Sequence, residues 1–171
     1  MRLFIGLEPT PDFRHALDEL QSRLRASGTE GRYLDPANLH MTLAFIGEWP
    51  QDLTGVLPAV DVPFAITLSH LGIFSGAKVL WAGVEPSPAL DALAARVRMQ
   101  LDDAWIPYDR QAFAPHITLL RKPVVPENMD LSAIEVPQAT MLVHEVCLYQ
   151  SVHEADGMHY RVLARSAQVR S

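Results

Sequence analysis

Leu3-Phe4-Ile5-Gly6-Leu7-Glu8-Pro9-Thr10-Pro11 returns 77 positions later as Leu80-Trp81-Ala82-Gly83-Val84-Glu85-Pro86-Ser87-Pro88. Leucine, glycine, glutamate and both prolines recur, an aromatic follows the leucine in each copy, and Thr10 matches Ser87. Each copy reads as a β-strand running into a helix: an apolar run, a hydroxyl N-cap, then proline at the first helical position. Any two strand-to-helix joints share some of these signals, so the joint alone is weak evidence of repetition. The likeness goes on, however. Phe13, Leu17, Leu20 and Leu24 recur at helical spacing until Gly28, and Leu90, Ala94, Val97 and Leu101 follow at the same offset.

We therefore read an internal duplication within a single domain spanning residues 1–171, with one lobe over about 1–70 and the other over about 71–171. The division is soft, because the strand-like run Phe64–Leu71 can cross between lobes. Strands are predicted at Arg2–Leu7, Leu39–Ile46, Phe64–Leu71, Val79–Val84, Phe113–Leu120, Thr140–Tyr149 and Tyr160–Ser166. Helices are predicted at Pro11–Ala26 and Pro88–Ala104, with a short one near Asp52–Leu57. Pro123–Pro137 reads as loop, and Asp156-Gly157 as a turn in a hairpin whose loop exceeds a tight turn. Strands that follow one another without a helix favour antiparallel pairing. The expected class is α+β: a bilobal duplicated fold of two mainly antiparallel sheets, each backed by a helix, about a pseudo-two-fold axis with a central cleft.

The second repetition carries chemistry. His40-Met41-Thr42-Leu43 and His116-Ile117-Thr118-Leu119 lie 76 positions apart, one short of the earlier offset, inside apolar runs of strand character. Alternate side chains of a strand share a face, so each histidine shares a face with its threonine while the apolar residues pack behind. A polar pair on an apolar strand is costly unless it meets water or a ligand. Facing each other across a cleft, the two histidines would divide acid and base roles near neutral pH. Threonine hydroxyls can donate to phosphate oxygens, and such a site suits in-line displacement at phosphorus. A two-histidine metal site is the competing reading. Neither motif has Asp or Glu on the histidine's face, so we expect no metal and no cofactor.

Bulk properties narrow the class. Hydrophobic content of 49% and charged content of 20% suit a globular domain. No apolar run approaches the roughly 18 residues that span a bilayer, and Glu8 and Pro9 come too early for a signal-peptide core. Cys147 is the only cysteine, which excludes an intrachain disulfide. We expect a cytoplasmic monomer with no membrane partner. The net charge of −6 argues against non-specific nucleic-acid binding, but not against a phosphate group held in a locally basic cleft.

These residues resemble the 2H phosphoesterase family, and within it the RNA 2′,3′-cyclic phosphodiesterase (2′-5′ RNA ligase) branch. The likeness runs from Arg2-Leu3-Phe4 through Asn38–Gly47 and Pro115–Arg121 to Leu148-Tyr149-Gln150-Ser151 and Tyr160. It implies metal-independent hydrolysis of a 2′,3′-cyclic phosphate at an RNA 3′ end, or on a nucleoside, to a 2′-phosphate. His40 and His116 would be the acid–base pair, with Thr42, Thr118 and Arg121 as phosphate ligands. Arg121 lies five residues after His116, so strict alternation turns it away unless the strand bulges or ends first. Phe45 holds the equivalent place in the first motif and is expected in the core, as are Phe4 and Trp81. Arg2, Arg32 and Arg110 are candidates to line the cleft. His15, His70, His144, His153 and His159 lack a partner motif, and Cys147 reads as a buried small residue. Other substrates compatible with the same motifs are ADP-ribose 1″,2″-cyclic phosphate and 2′-5′ linked oligonucleotides, by hydrolysis or reversible ligation. A non-catalytic module that binds RNA ends is the remaining alternative.

Overall fold

The duplicated joints fold as read. In the computed structural model, which describes residues 1–166, β1 (Arg2–Leu7) leads into α1 (Pro11–Ala26), and β5 (Val79–Val84) into α2 (Pro88–Asp103). Each helix has proline in its first turn, with Asp12 and Asp91 favourably placed at the positive end of the helix dipole. The caps differ. Ser87 Oγ accepts the Leu90 N–H at 3.1 Å, whereas Thr10 makes no side-chain cap bond and only its carbonyl serves, taking the Arg14 N–H at 2.8 Å.

Between and after the joints come β2 (Glu30–Tyr33), β3 (Met41–Glu48), β4 (Phe64–Phe74), β6 (Ile117–Val124), β7 (Thr140–Val143), β8 (Cys147–Glu154) and β9 (Gly157–Arg165). They pair antiparallel in the order β7-β4-β5-β6-β3-β1-β8-β9, with β2 along β6. This order is a palindrome of the repeat: β3 and β6 correspond, as do β1 and β5. The two halves meet at a single pair, Met41 opposite Ile117. The result is the α+β, two-half architecture expected of the duplication.

The halves do not follow the chain order. β4 joins the half built on β5, while β8 and β9, from the end of the chain, complete the half built on β1. Local detail also departs from expectation. The run Thr140–Tyr149 is broken at His144-Glu145-Val146 into two strands in opposite halves. β2 is a short, mostly exposed strand without apolar alternation. The β8–β9 hairpin closes with Glu154 opposite Gly157, a tight two-residue turn at Ala155-Asp156 rather than a long loop. A single 3₁₀ turn, Thr54–Val56, replaces the short helix, and Leu131–Ala133 forms another within the expected loop.

One continuous core runs beneath both halves, from Leu3 and Ile5 through Phe13 and Leu17 to Leu80, Leu90 and Leu119. Met41, Leu43, Ile117 and Leu119 are each at most 2% exposed. Burying side chains of this size stabilises by about 1.5–3 kcal/mol apiece, so the rear face of each motif strand anchors it. Among the described residues no helix is long and apolar enough to cross a membrane.

Candidate active site

The Met41–Ile117 pair arranges the two motifs. Continuing its antiparallel register by one residue sets His40 across from Thr118 and Thr42 across from His116. These four side chains share the face opposite Met41 and Ile117. All four line one cleft of about 1230 Å3, together with Phe45 and Arg121.

Two bulges at equivalent places explain the last two. Gly6 pairs with Thr42 and Ile5 with Ala44, so β3 carries an extra residue at Leu43. Trp81 pairs with Thr118 and Leu80 with Leu120, so β6 carries one at Leu119. An extra residue reverses the alternation beyond it. Leu43 and Ala44 are therefore both buried, as are Leu119 and Leu120, and the residues that follow, Phe45 and Arg121, turn back to the cleft. Phe45 is thus a cleft-wall residue rather than a core one, with the Arg2 guanidinium 5.1 Å from its ring centre.

Both histidines are held in the same way. His40 Nδ1 lies 2.8 Å from the Asn38 carbonyl, and His116 Nδ1 lies 2.7 Å from the Ala114 carbonyl. A carbonyl only accepts, so each Nδ1 carries the hydrogen and the neutral ring has its lone pair on Nε2. The Thr42 hydroxyl donates to His40 Nε2 at 3.0 Å. Burial lowers the His40 pKa to about 4, helped by the nearby positive charges of His116, Arg121 and Arg14 and opposed by the Asn38 bond. His40 is consequently neutral at pH 7.

Aromatic rings back each imidazole. His40 rests on Phe4, centroids 4.6 Å apart, with Tyr160 edge-on at 4.9 Å. Phe4 in turn stacks on Tyr149 at 4.8 Å. His116 has Phe74 edge-on at 4.9 Å and Trp81 at 6.2 Å. Phe4 and Trp81 thus lie behind the histidines, and Phe4 is 3% exposed, as a core residue would be.

Of the other candidates, Arg2 lines the cleft and Arg32 lies beside Arg121 in the β2–β6 ladder. Arg110 does not line it: it is paired with Asp102 at 2.8 Å and stacked on Tyr108. His15 is exposed on α1, His70 packs against Trp81, and His159 is bonded to Asp156 in the hairpin. Cys147 is fully buried.

Several residues of the site have no role legible in the sequence, although Asn38 and Tyr160 fall within the family likeness. Asn38 holds His40 with its carbonyl, while its side chain donates to the Met158 carbonyl at 2.8 Å and accepts the Tyr160 N–H. Arg14 donates to the Pro36 and Leu39 carbonyls and so braces the turn before His40. Tyr160 and Phe74 come from β9 and β4, far along the chain from the motifs they contact.

Residues 9–154 match the family model described as the 2′-5′ RNA ligase superfamily. An RNA 2′,3′-cyclic phosphodiesterase of Thermotoga maritima is 25% identical over 95% of this chain and 93% of its own. One of Geobacillus stearothermophilus is 27% identical over 86% of this chain, which spans 51% of that longer relative. The crystal structure of E. coli LigT complexed with 3′-AMP superposes with a TM-score of 0.77 at 26% identity, covering 99% of this chain and 98% of that one. A model match across most of the sequence, around the paired His-x-Thr strands, means that this chain belongs to the 2′-5′ RNA ligase superfamily.

Proposed function

We propose that this chain hydrolyses the 2′,3′-cyclic phosphate at an RNA 3′ end to a 2′-phosphate, with His40 and His116 as its acid–base pair and no metal in the reaction. The observation that carries the reading is the set of four residues around the Met41–Ile117 pair, two imidazoles and two hydroxyls on one face. The name of a relative matched over 95% of this chain, an RNA 2′,3′-cyclic phosphodiesterase, supports the substrate and bond broken.

His40 is the base, because it is neutral at pH 7 with its lone pair on Nε2, where it now accepts the Thr42 hydroxyl and would instead accept the proton of the attacking water. It removes a proton from a water that attacks phosphorus in line with the 3′-oxygen. The P–O3′ bond breaks, and protonated His116 gives its Nε2 proton to the departing 3′-oxygen. The products are a 2′-phosphate and a free 3′-hydroxyl, and the histidines exchange protonation states. Thr118 donates to a non-bridging oxygen, Thr42 does the same once its hydroxyl turns from His40 Nε2 to the bound phosphate, and Arg121 offsets the charge that builds there.

The direct test is adenosine 2′,3′-cyclic phosphate turnover in excess chelator, followed by chromatography. The expected product is adenosine 2′-phosphate, with a loss of at least 10²-fold in His40→Ala and in His116→Ala. No turnover, a 3′-phosphate product, or full activity in either variant would overturn the reading.

A further inference from the structure

The duplication sets the same two positions at both ends of the cleft and fills them differently. Beyond the bulge in β6, Arg121 pairs with Arg32 of β2. Beyond the bulge in β3 stands Phe45, the counterpart of Arg121 76 residues earlier. Its carbonyl accepts the N–H of Asp109 at 2.8 Å, and Asp109 lies 77 residues after Arg32. Two cations at one end therefore correspond to an aromatic ring and a carboxylate at the other. Phe45 and Asp109 both line the cleft. Asp109 Oδ1 accepts the Gln111 N–H at 3.0 Å, which leaves Oδ2 and a second lone pair of Oδ1 for a ligand. The side chain is exposed and makes no ion pair among the described residues. Arg98 donates to the Leu43 and Gln111 carbonyls and so ties the loop that carries Asp109 to β3.

The register orders the groups along the cleft floor. Arg121 comes first, then His40 beside Thr118, then His116 beside Thr42, then Phe45 with Asp109. In the reaction above His116 gives its proton to the 3′-oxygen. The ribose carries that oxygen, so it lies on the His116 side of phosphorus and its base extends toward Phe45. The half-buried Phe45 ring offers a flat apolar face, and the exposed Arg2 guanidinium, 5.1 Å from the ring centre, is placed to cap a planar base there. A carboxylate at the edge of that base only accepts hydrogen bonds. Of the RNA bases, guanine alone presents two adjacent donors on its Watson–Crick edge, N1–H and the 2-amino group, which match two carboxylate lone pairs. Adenine and cytosine set a ring-nitrogen acceptor beside their amine, and uracil sets its N–H between two carbonyls. Those acceptors are repelled by a carboxylate.

We propose that Asp109 is a specificity-determining residue that reads the terminal base, so that a guanosine 2′,3′-cyclic phosphate end is the preferred substrate. The proposal rests on the cyclic phosphodiesterase reading above and adds the identity of the reacting nucleoside to it.

The test measures kcat/KM for the 2′,3′-cyclic phosphates of guanosine, inosine, adenosine, cytidine and uridine, in the wild type and in Asp109→Asn. Asparagine keeps an oxygen for the Gln111 N–H but turns one acceptor into a donor, which opposes guanine and pairs with adenine N1. A bidentate base contact discriminates by about 10-fold or more, so the wild type should favour guanosine over adenosine by that factor. Inosine, which lacks only the 2-amino group, should fall between them. In Asp109→Asn the guanosine-to-adenosine ratio should drop at least 10-fold. Equal kcat/KM across the bases in the wild type, a guanosine preference that survives in the variant, or a variant that loses all bases alike overturns the proposal. If the wild type turns over none of these substrates, the reaction assignment fails, and titration calorimetry with guanosine 2′-phosphate and adenosine 2′-phosphate then decides the base reading. Equal affinity overturns it; tighter binding of the guanosine ligand that Asp109→Asn abolishes supports it.

Discussion

Gln21 and Arg98 stand at equivalent positions of the duplicated helices, 77 residues apart, and each donates to the carbonyl of the bulged residue in a motif strand. Gln21 Nε2 reaches the Leu119 carbonyl at 2.9 Å, and Arg98 Nε reaches the Leu43 carbonyl at 3.2 Å. The helix after β1 therefore braces the strand of His116, and the helix after β5 braces the strand of His40. An extra residue interrupts the ladder at each bulge, and these side chains add a donor there, at Leu119 beside the Leu34 N–H (3.0 Å). The bulges matter because they return Phe45 and Arg121 to the cleft.

Gln21→Leu should for this reason be costly. Gln21 is fully buried, and its Nε2 also serves the Leu34 carbonyl. Removing it takes the donor from the Leu34 carbonyl, at about 1–3 kcal/mol for a buried group, and leaves the Leu119 carbonyl with the Leu34 N–H alone. A urea melt should show a loss of about 1–3 kcal/mol. Arg98→Met, at a partly exposed site that keeps the apolar stem, should lose less. A Gln21→Leu protein as stable as wild type would mean that the Gln21 bonds to Leu34 and Leu119 contribute nothing to the fold.

The depressed pKa of His40 predicts two pH effects. As the base, it must be neutral in the free enzyme, so the acid limb of kcat/KM should fall near pH 4, not near the ordinary histidine value of about 6.5. Stability follows the same group. The folded value lies below the unfolded one, so between about pH 6.5 and 4 the unfolded chain binds the extra proton, and stability drops as pH falls through that window. The loss, on the order of 3 kcal/mol, should be absent in His40→Gln. Thermal melts from pH 7 to 4 check this, and an acid limb near 6.5 would exclude His40 as the base.

Arg121→Met tests the phosphate ligand separately from the acid–base pair. Charge-assisted hydrogen bonds to an anion contribute about 1.5–3 kcal/mol, so inorganic phosphate should bind roughly 10- to 100-fold more weakly. The folding midpoint should hardly move, because the side chain is exposed and makes no ion pair among the described residues. Isothermal titration with phosphate measures the first effect and denaturant melts the second. Unchanged phosphate affinity would remove Arg121 from the site.

How much of this was legible beforehand differs by feature. The helix over Pro11–Ala26 and the strands Arg2–Leu7 and Val79–Val84 have the predicted limits, because proline, hydroxyl caps and strong periodicity mark them. His40, Thr42, His116 and Thr118 share a cleft as expected, since two-residue alternation is local and holds up to the bulge. Arg121 and Phe45 lie past it. A bulge depends on partner strands and side chains nearly a hundred residues away, such as Gln21 for Leu119, so parity counting misplaces Phe45. The exchange of strands between halves is likewise a matter of pairing: nothing within Cys147–Glu154 says that it lies along β1. β2 escapes notice because Glu30–Tyr33 is short and polar and owes its place to β6.

Gly72 offers a test of the packing behind His116. It pairs with Trp81, whose ring lies flat across it: a Cβ at Gly72 would stand 2.2 Å from Trp81 Cζ2 and 2.5 Å from Cη2. Those are ring atoms locked between strands, so the indole must move in Gly72→Ala. Trp81 also contacts Phe74 at 4.9 Å, and Phe74 meets the His116 ring at 4.9 Å, so the shift is passed to the imidazole. Overpacking of this kind costs about 1–3 kcal/mol. The variant should melt earlier, change its tryptophan emission, and lose kcat more than it raises KM. A His116 positioned only by its backbone bond to Ala114 would instead keep wild-type kcat despite the altered emission.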